Sequence, residues 1–185
     1  MRPIVKTLLI SSALVALCGC DMPEVKNHIL FDAQKTFHIA IPDKPWRIVE
    51  MDKDYVLIAR KNSTASIGLF WTEKDHINTP TDVVAEHLFL GLEKRKEIKT
   101  SNETIDNLPA KRTIVDITTE GVSFRICSYT WTKDSMVYDC VYCARKDEFE
   151  EHLNVFEETV RSFHFLHSER LEKSPANPTK TEQPK

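Results

Sequence analysis

The residues of this chain that could do chemistry are few, and most of them are cysteines. Of the five, Cys18 and Cys20 sit near the amino terminus, while Cys127, Cys140 and Cys143 fall in the body of the chain. Cys140-Val141-Tyr142-Cys143 has the spacing of a redox CxxC, the basis of a thiol-disulfide oxidoreductase reading. Such a motif works by setting its first cysteine at a helix amino terminus, where the dipole stabilises the thiolate. Here the pattern around it is that of a strand, which favours a structural disulfide or buried thiols over redox chemistry. Two hairpin registers are open. If residues pair so that their numbers sum to 267, Cys127 faces Cys140 and Tyr129 faces Tyr138, the favoured arrangement. If they sum to 270, Cys127 faces Cys143. In an oxidising compartment, closing so short a loop would contribute about 3 kcal/mol.

Other constellations are weaker. His164 and His167 are three apart, but no cysteine pair stands at zinc-ligand spacing beside them, so neither a metal nor another cofactor is expected. No serine has the setting of a nucleophile elbow, and four glycines in 185 residues leave no glycine-rich phosphate loop. The acidic run Asp147 to Glu151 reads as a solvated helix start. Tyr129, Trp131, Tyr138 and Tyr142 could line a ligand groove, although a sheet face covered by a helix accounts for them as core, which is the favoured reading.

The amino terminus supplies an address. Arg2 and Lys6 precede an apolar run from Leu8 to Leu17 that is closed by Cys-Gly-Cys-Asp at positions 18 to 21. The run is half the length needed to span a bilayer and has the form of a secretory signal. Leu17-Cys18-Gly19-Cys20 resembles the lipobox of bacterial lipoproteins, which implies cleavage after Gly19 and acylation of Cys20. Asp21 resembles the sorting signal that holds such proteins at the periplasmic face of the inner membrane, so one partner is the membrane itself, reached through the lipid. Removing residues 1–19 leaves 23 lysines and arginines against 28 acids, a net charge of −5. That balance, with export, argues against nucleic acid.

Residues 20–35 carry no strong pattern and read as a lipid-anchored tether. The span 166–185 holds three prolines and almost no apolar side chains, and reads as a disordered tail. Between them, one domain is expected over 36–165. Phe37, Ile39 and Ile41 alternate before Pro42 and Pro45, predicting a strand and a turn. Further strands are expected at Tyr55–Arg60 and Ala65–Trp71. Thr81 then caps a helix with Val84, Leu88 and Leu92 on one face, ending in the basic run Lys94 to Lys99. Strands follow near 103–105, 111–118 and 122–131, and Met136 to Arg145 completes a hairpin across Thr132–Ser135. Phe149, Leu153, Phe156, Val160 and Phe163 mark a closing amphipathic helix. The fold class expected is α+β, an antiparallel β-sheet flanked by two main helices.

Several phrases carry a resemblance. Phe37-His38-Ile39-Ala40-Ile41-Pro42 with Trp46, Ile105-Asp106-Asn107-Leu108-Pro109-Ala110, and the closing Val160-Arg161-Ser162-Phe163 resemble PsbP-like domains, nearest to the DcrB-like bacterial lipoproteins. The resemblance covers residues 36 to 165, with Asn107 where such domains often carry glycine. It implies a PsbP-like sandwich and a non-enzymatic role in binding, assembly or chaperoning of an envelope protein partner. An exclusion or toxin-immunity lipoprotein and a thiol oxidoreductase using Cys140 and Cys143 are the alternatives.

Overall fold

The computed structural model describes residues 22–74, 79–92 and 95–166. The signal segment, Cys20 and Asp21, and all of the expected tail except Leu166 therefore lie outside the described residues. Among the described residues, eleven strands and two helices run in the order β1 (Glu24–Lys26), β2 (Ile29–Phe31), β3 (Phe37–Ala40), β4 (Trp46–Asp52), β5 (Tyr55–Arg60), β6 (Ser66–Glu73), α1 (Thr81–His87), β7 (Lys96–Ile105), β8 (Leu108–Thr119), β9 (Val122–Lys133), β10 (Met136–Arg145), α2 (Phe149–Arg161) and β11 (His164–Phe165). They form a seven-stranded sheet, β4-β5-β6-β10-β9-β8-β7, and a four-stranded sheet, β1-β2-β3-β11, with every pairing antiparallel. The α+β expectation holds, with a second small sheet added.

The core lies between one face of the large sheet and a cover made by α2 and the small sheet. Trp131, Tyr142, Phe149, Phe156, Leu30 and Ile39 are its largest fully buried side chains. A fully buried side chain of this kind contributes roughly 1.5–3 kcal/mol relative to an exposed one. On the opposite face Phe89, just past the end of α1, lies over Val115 and Ile126, a smaller cluster with Leu88, Ile117, Val141 and Cys143 at its margin.

The tether reading of residues 20–35 is corrected from residue 22 onward. Glu24–Lys26 and Ile29–Phe31 pair around Asn27 and His28, both at positive φ (50° and 63°), and Leu30 is wholly buried. Strands of three residues around a turn without glycine are too short to show a period. Strand β4 has no counterpart in the expected elements either, because its bulge between Ile48 and Glu50 breaks the alternation on which strand reading depends.

Helix α1 is a second correction. It ends at His87 and buries Ala85, with Phe89 following it into the small cluster; of the expected face Leu88 packs at that cluster's margin, while Leu92 is exposed. Thr81 makes no capping bond; Pro80 holds that position. The basic stretch beyond residue 94 enters β7, an edge strand of ten residues that is exposed on both faces until Ile105 enters the core at its end, so neither period shows in it. The closing helix falls as expected, though Phe163 enters the core just past its end.

Candidate functional site

The cysteines are central to three expectations, and the β9–β10 register decides all of them. Only Asp134 and Ser135 lie outside the ladder, with Asp134 at φ 53°, so Lys133 pairs with Met136 and residue numbers sum to 269. The two expected registers, 267 and 270, are both corrected: the hairpin closes with a shorter turn than the four-residue loop allowed. Cys127 faces Tyr142, Tyr129 faces Cys140 and Trp131 faces Tyr138. Cys127 and Cys140 are thus diagonal neighbours, about 7–8 Å apart by strand geometry, outside the usual disulfide span. Cys143 pairs with Ile126 on the opposite face, and all three thiols are free.

The CxxC reading fails on the same parity. Residues three apart on a strand point to opposite faces, and β10 is held between β6 and β9, so joining Cys140 to Cys143 would break the sheet. Burial pushes the Cys140 thiol well up, with the Asp139 charge adding to it. Burial raises Cys143 as well, and Cys127 is pushed up to about 12 by burial against the opposing pull of Arg112. None of the three is activated as a thiolate. Among the described residues no group of three metal-ligating side chains converges. His164 pairs with Asp106 (Nδ1 to Oδ1, 3.0 Å), whose other oxygen accepts the Phe165 N–H at 2.9 Å. His167 lies outside the described residues.

The aromatic set divides. Tyr129 and Tyr142 pack under α2, at 5.8 and 5.5 Å from the Phe156 ring, and the Tyr142 hydroxyl donates to the Phe149 carbonyl at 3.0 Å. Trp131 lies edge-on to Phe163 at 4.8 Å and is fully buried. These are core. Tyr138 alone reaches a concave surface.

That surface is an open cleft of about 800 Å³ where three turns meet at one end of the large sheet. Its walls are the β2–β3 loop (Asp32 to Thr36), the β4–β5 turn (Lys53 and Asp54) and the β9–β10 turn (Lys133 to Met136). Its floor is Phe37, Trp71, Tyr138 and Phe165, packed mostly edge to face: Phe37 on Trp71 at 5.2 Å, Phe37 on Tyr138 at 5.6 Å, Tyr138 on Phe165 at 5.2 Å. Such pairs contribute about 0.5–1.5 kcal/mol beyond their buried area and fix ring orientation.

The walls are pinned. The Asp32 carboxylate accepts from the Thr36 and Phe37 N–H groups (2.6 and 2.8 Å) and from the Thr36 hydroxyl (2.9 Å), which freezes the loop in the manner of an Asx turn. The Trp71 N–H donates to the Asp54 carbonyl at 3.0 Å and the Lys74 N–H to the Ser135 carbonyl at 2.7 Å. Lys133 lies 3.8 Å above the Phe165 ring, within cation–π range. Burial raises the Tyr138 hydroxyl to about 12, with Asp32 and Asp134 adding to the shift, so it is a neutral hydrogen-bonding group at every physiological pH. The cleft therefore offers a rigid aromatic surface fringed by Lys35, Lys53 and Lys133 and by Asp54, Glu73 and Asp134. This is the equipment of a binding surface. Sequence reasoning found only Tyr138 of these residues, because the others come from five separate segments.

No protein-family model matches the sequence and no curated protein matches it. Solved structures match its shape. The solution structure of cyanobacterial PsbP (CyanoP) from Synechocystis sp. PCC 6803 superposes with a TM-score of 0.57 over 80% of this chain and 95% of that one, at 12% identity. The fold is PsbP-like. LpqN, involved in cell envelope biogenesis of Mycobacterium tuberculosis, matches with a TM-score of 0.57 at 15% identity, over 70% of this chain and 82% of that one. A Pseudomonas aeruginosa protein of unknown function matches with a TM-score of 0.52 at 16% identity, over 68% and 88%. At such identities the likeness establishes the PsbP-like architecture. No described helix is long and apolar enough to cross a membrane.

Proposed function

We propose that this protein is a lipoprotein of the DcrB-like kind, held through acylated Cys20 at the periplasmic face of the inner membrane, and that it works there as a non-enzymatic interaction module. The observation that carries the reading is the cleft: a pinned, aromatic-floored surface with a mixed-charge rim. Binding surfaces of standard kind combine just these elements, aromatic area at the centre and polar groups at the edge. The lipobox phrase and Asp21 supply the address, and the PsbP-like fold that LpqN shares is consistent with an envelope role. The cysteine geometry gives the oxidoreductase alternative no support.

The test is crosslinking in cells of the full-length chain, purification from the membrane fraction and mass spectrometry of what accompanies it. One dominant envelope partner, recovered with the native chain and lost on Lys53→Glu and on Trp71→Ser, would bear the reading out. Equal recovery with both variants would remove the cleft from it. A catalytic activity abolished by substituting one domain residue would replace it with an enzyme.

A further inference from the structure

Pro23 is buried and Glu24 is already paired with Phe31 in the small sheet. Only Asp21 and Met22 separate Cys20 from folded chain. Three backbone steps reach at most about 11 Å from Pro23, at 3.3–3.6 Å per residue. Continuing the β1–β2 register sets Pro23 beside Asp32, about 5 Å away. Asp32 is a wall residue of the cleft. A lipid on Cys20 is thus held within about 16 Å of that wall, with no tether to lift the domain clear. The far end of the large sheet, where β8 turns into β9 and β5 into β6, is a strand length away. The ten residues of β10 span about 33 Å between the two ends.

We infer that the cleft-bearing end is the face this protein lays against the bilayer, and that phospholipid head groups contact its rim. The inference rests on the acylation of Cys20 proposed above. The chemistry of this end suits an interface. Met22 is exposed at the point nearest the lipid, aromatic rings lie just beneath the surface, and Lys35 and Lys53 on the rim can reach head-group phosphates beside the Lys133 ammonium that sits over the Phe165 ring. Asp52, Asp54, Glu73 and Asp134 offset those lysines, so the contact is imposed by the short connection rather than by net charge. It should therefore be as complete on zwitterionic as on anionic lipid. A protein partner that shares the cleft must then approach in the plane of the membrane.

The experiment uses the full chain purified from membranes, with the intact mass establishing whether Cys20 is acylated. The photoreactive residue p-benzoylphenylalanine replaces Gln34 or Lys53 at the near end, or Lys61 or Thr119 at the far end. Each protein is reconstituted in vesicles of phosphatidylcholine alone, and of phosphatidylethanolamine with phosphatidylglycerol. Lipid adducts several-fold more abundant at the near positions, in both compositions, are the expected result. Inserting about twelve glycine and serine residues after Asp21, a flexible reach of roughly 20 Å, should lower the near-end adducts while acylation and circular dichroism stay unchanged. Equal or reversed adducts, dependence on anionic lipid, or indifference to the insertion would overturn the orientation in a chain whose mass shows the acyl groups. Near-end crosslinks in native membranes that go to a protein and not to lipid would also overturn it, assigning the cleft to that protein. An unacylated Cys20 would overturn the lipoprotein reading and the orientation together.

Discussion

The two faces of the large sheet are built from the same strands and solve different problems. Along β9 and β10, the residues facing α2 and the small sheet are Cys127, Tyr129, Trp131, Tyr138, Cys140 and Tyr142, while those facing the other way include Ser128, Thr130, Asp139 and Cys143. Ser128 and Thr130 are nonetheless completely buried. The first face is stabilised by aromatic area. The second is mixed: Ile126 and Val141 join the small cluster under Phe89, while beside them Thr130 donates to Asp139 at 2.5 Å. Burial alone therefore does not reveal which face carries the stability. The aromatic face should dominate it, and the two faces should respond to pH in opposite directions, through Asp139 on one and Asp116 on the other.

The largest effect tests the aromatic face. Trp131→Ala should cost about 3–5 kcal/mol, read from urea unfolding, because the cavity it leaves is enclosed by Tyr138 and Phe163. A cost no larger than that of Thr72→Ala, at an exposed position of β6, would remove the distinction between the faces.

Asp139 tests the polar face. Desolvation pushes its carboxyl up to about 6, against the lowering effect of the Thr130 bond. Because the folded state holds this proton more tightly than the unfolded chain, stability should fall as pH rises from about 4 to 6, by about 3 kcal/mol, and level off above. Asp139→Asn should flatten that slope and raise stability at neutral pH. An unchanged pH profile would mean that the carboxylate is solvated.

Asp116 makes the opposite case on the core side of the sheet. The Arg125 guanidinium, bonded at 2.7 Å, lowers its carboxyl to about 2, and Lys146 at 2.8 Å adds to this. Its contribution is complete above the unfolded pKa and is lost as pH falls from about 4 toward 2. With solvent screening, Asp116→Asn should cost about 1 kcal/mol at neutral pH and nothing near pH 2. A pH-independent cost would point to packing instead.

The smallest effect concerns the thiols. Without reductant, the folded protein should react with Ellman's reagent slowly and first at Cys143, the most accessible of the described cysteines, and all three should react once the chain is unfolded. Two thiols missing in denaturant would reveal a disulfide and break the register argument. Cys143→Ser should change stability by less than about 1 kcal/mol.

The amino-acid sequence by itself determined the α+β class, the order of most elements and the amphipathic closing helix, because long periodic segments record which side they bury. Phe149, Phe156 and Val160 are legible as a face, since 3.6-residue spacing leaves little else for them to be. The alternation of Trp131, Tyr129 and Cys127 likewise marked one side of a strand as core. Tertiary structure decided what depends on pairing. A two-residue turn at Asp134 and Ser135 set which cysteine faces which ring. A bulge hid β4, and strands of three residues around Asn27 and His28 converted an expected tether into a sheet edge. The cleft is the extreme case. Lys35, Lys53, Trp71, Lys133 and Phe165 are separated by many residues along the chain and meet because antiparallel turns gather at the ends of sheets. No local pattern encodes that meeting, since it is the sum of several registers, each fixed by contacts distant in sequence.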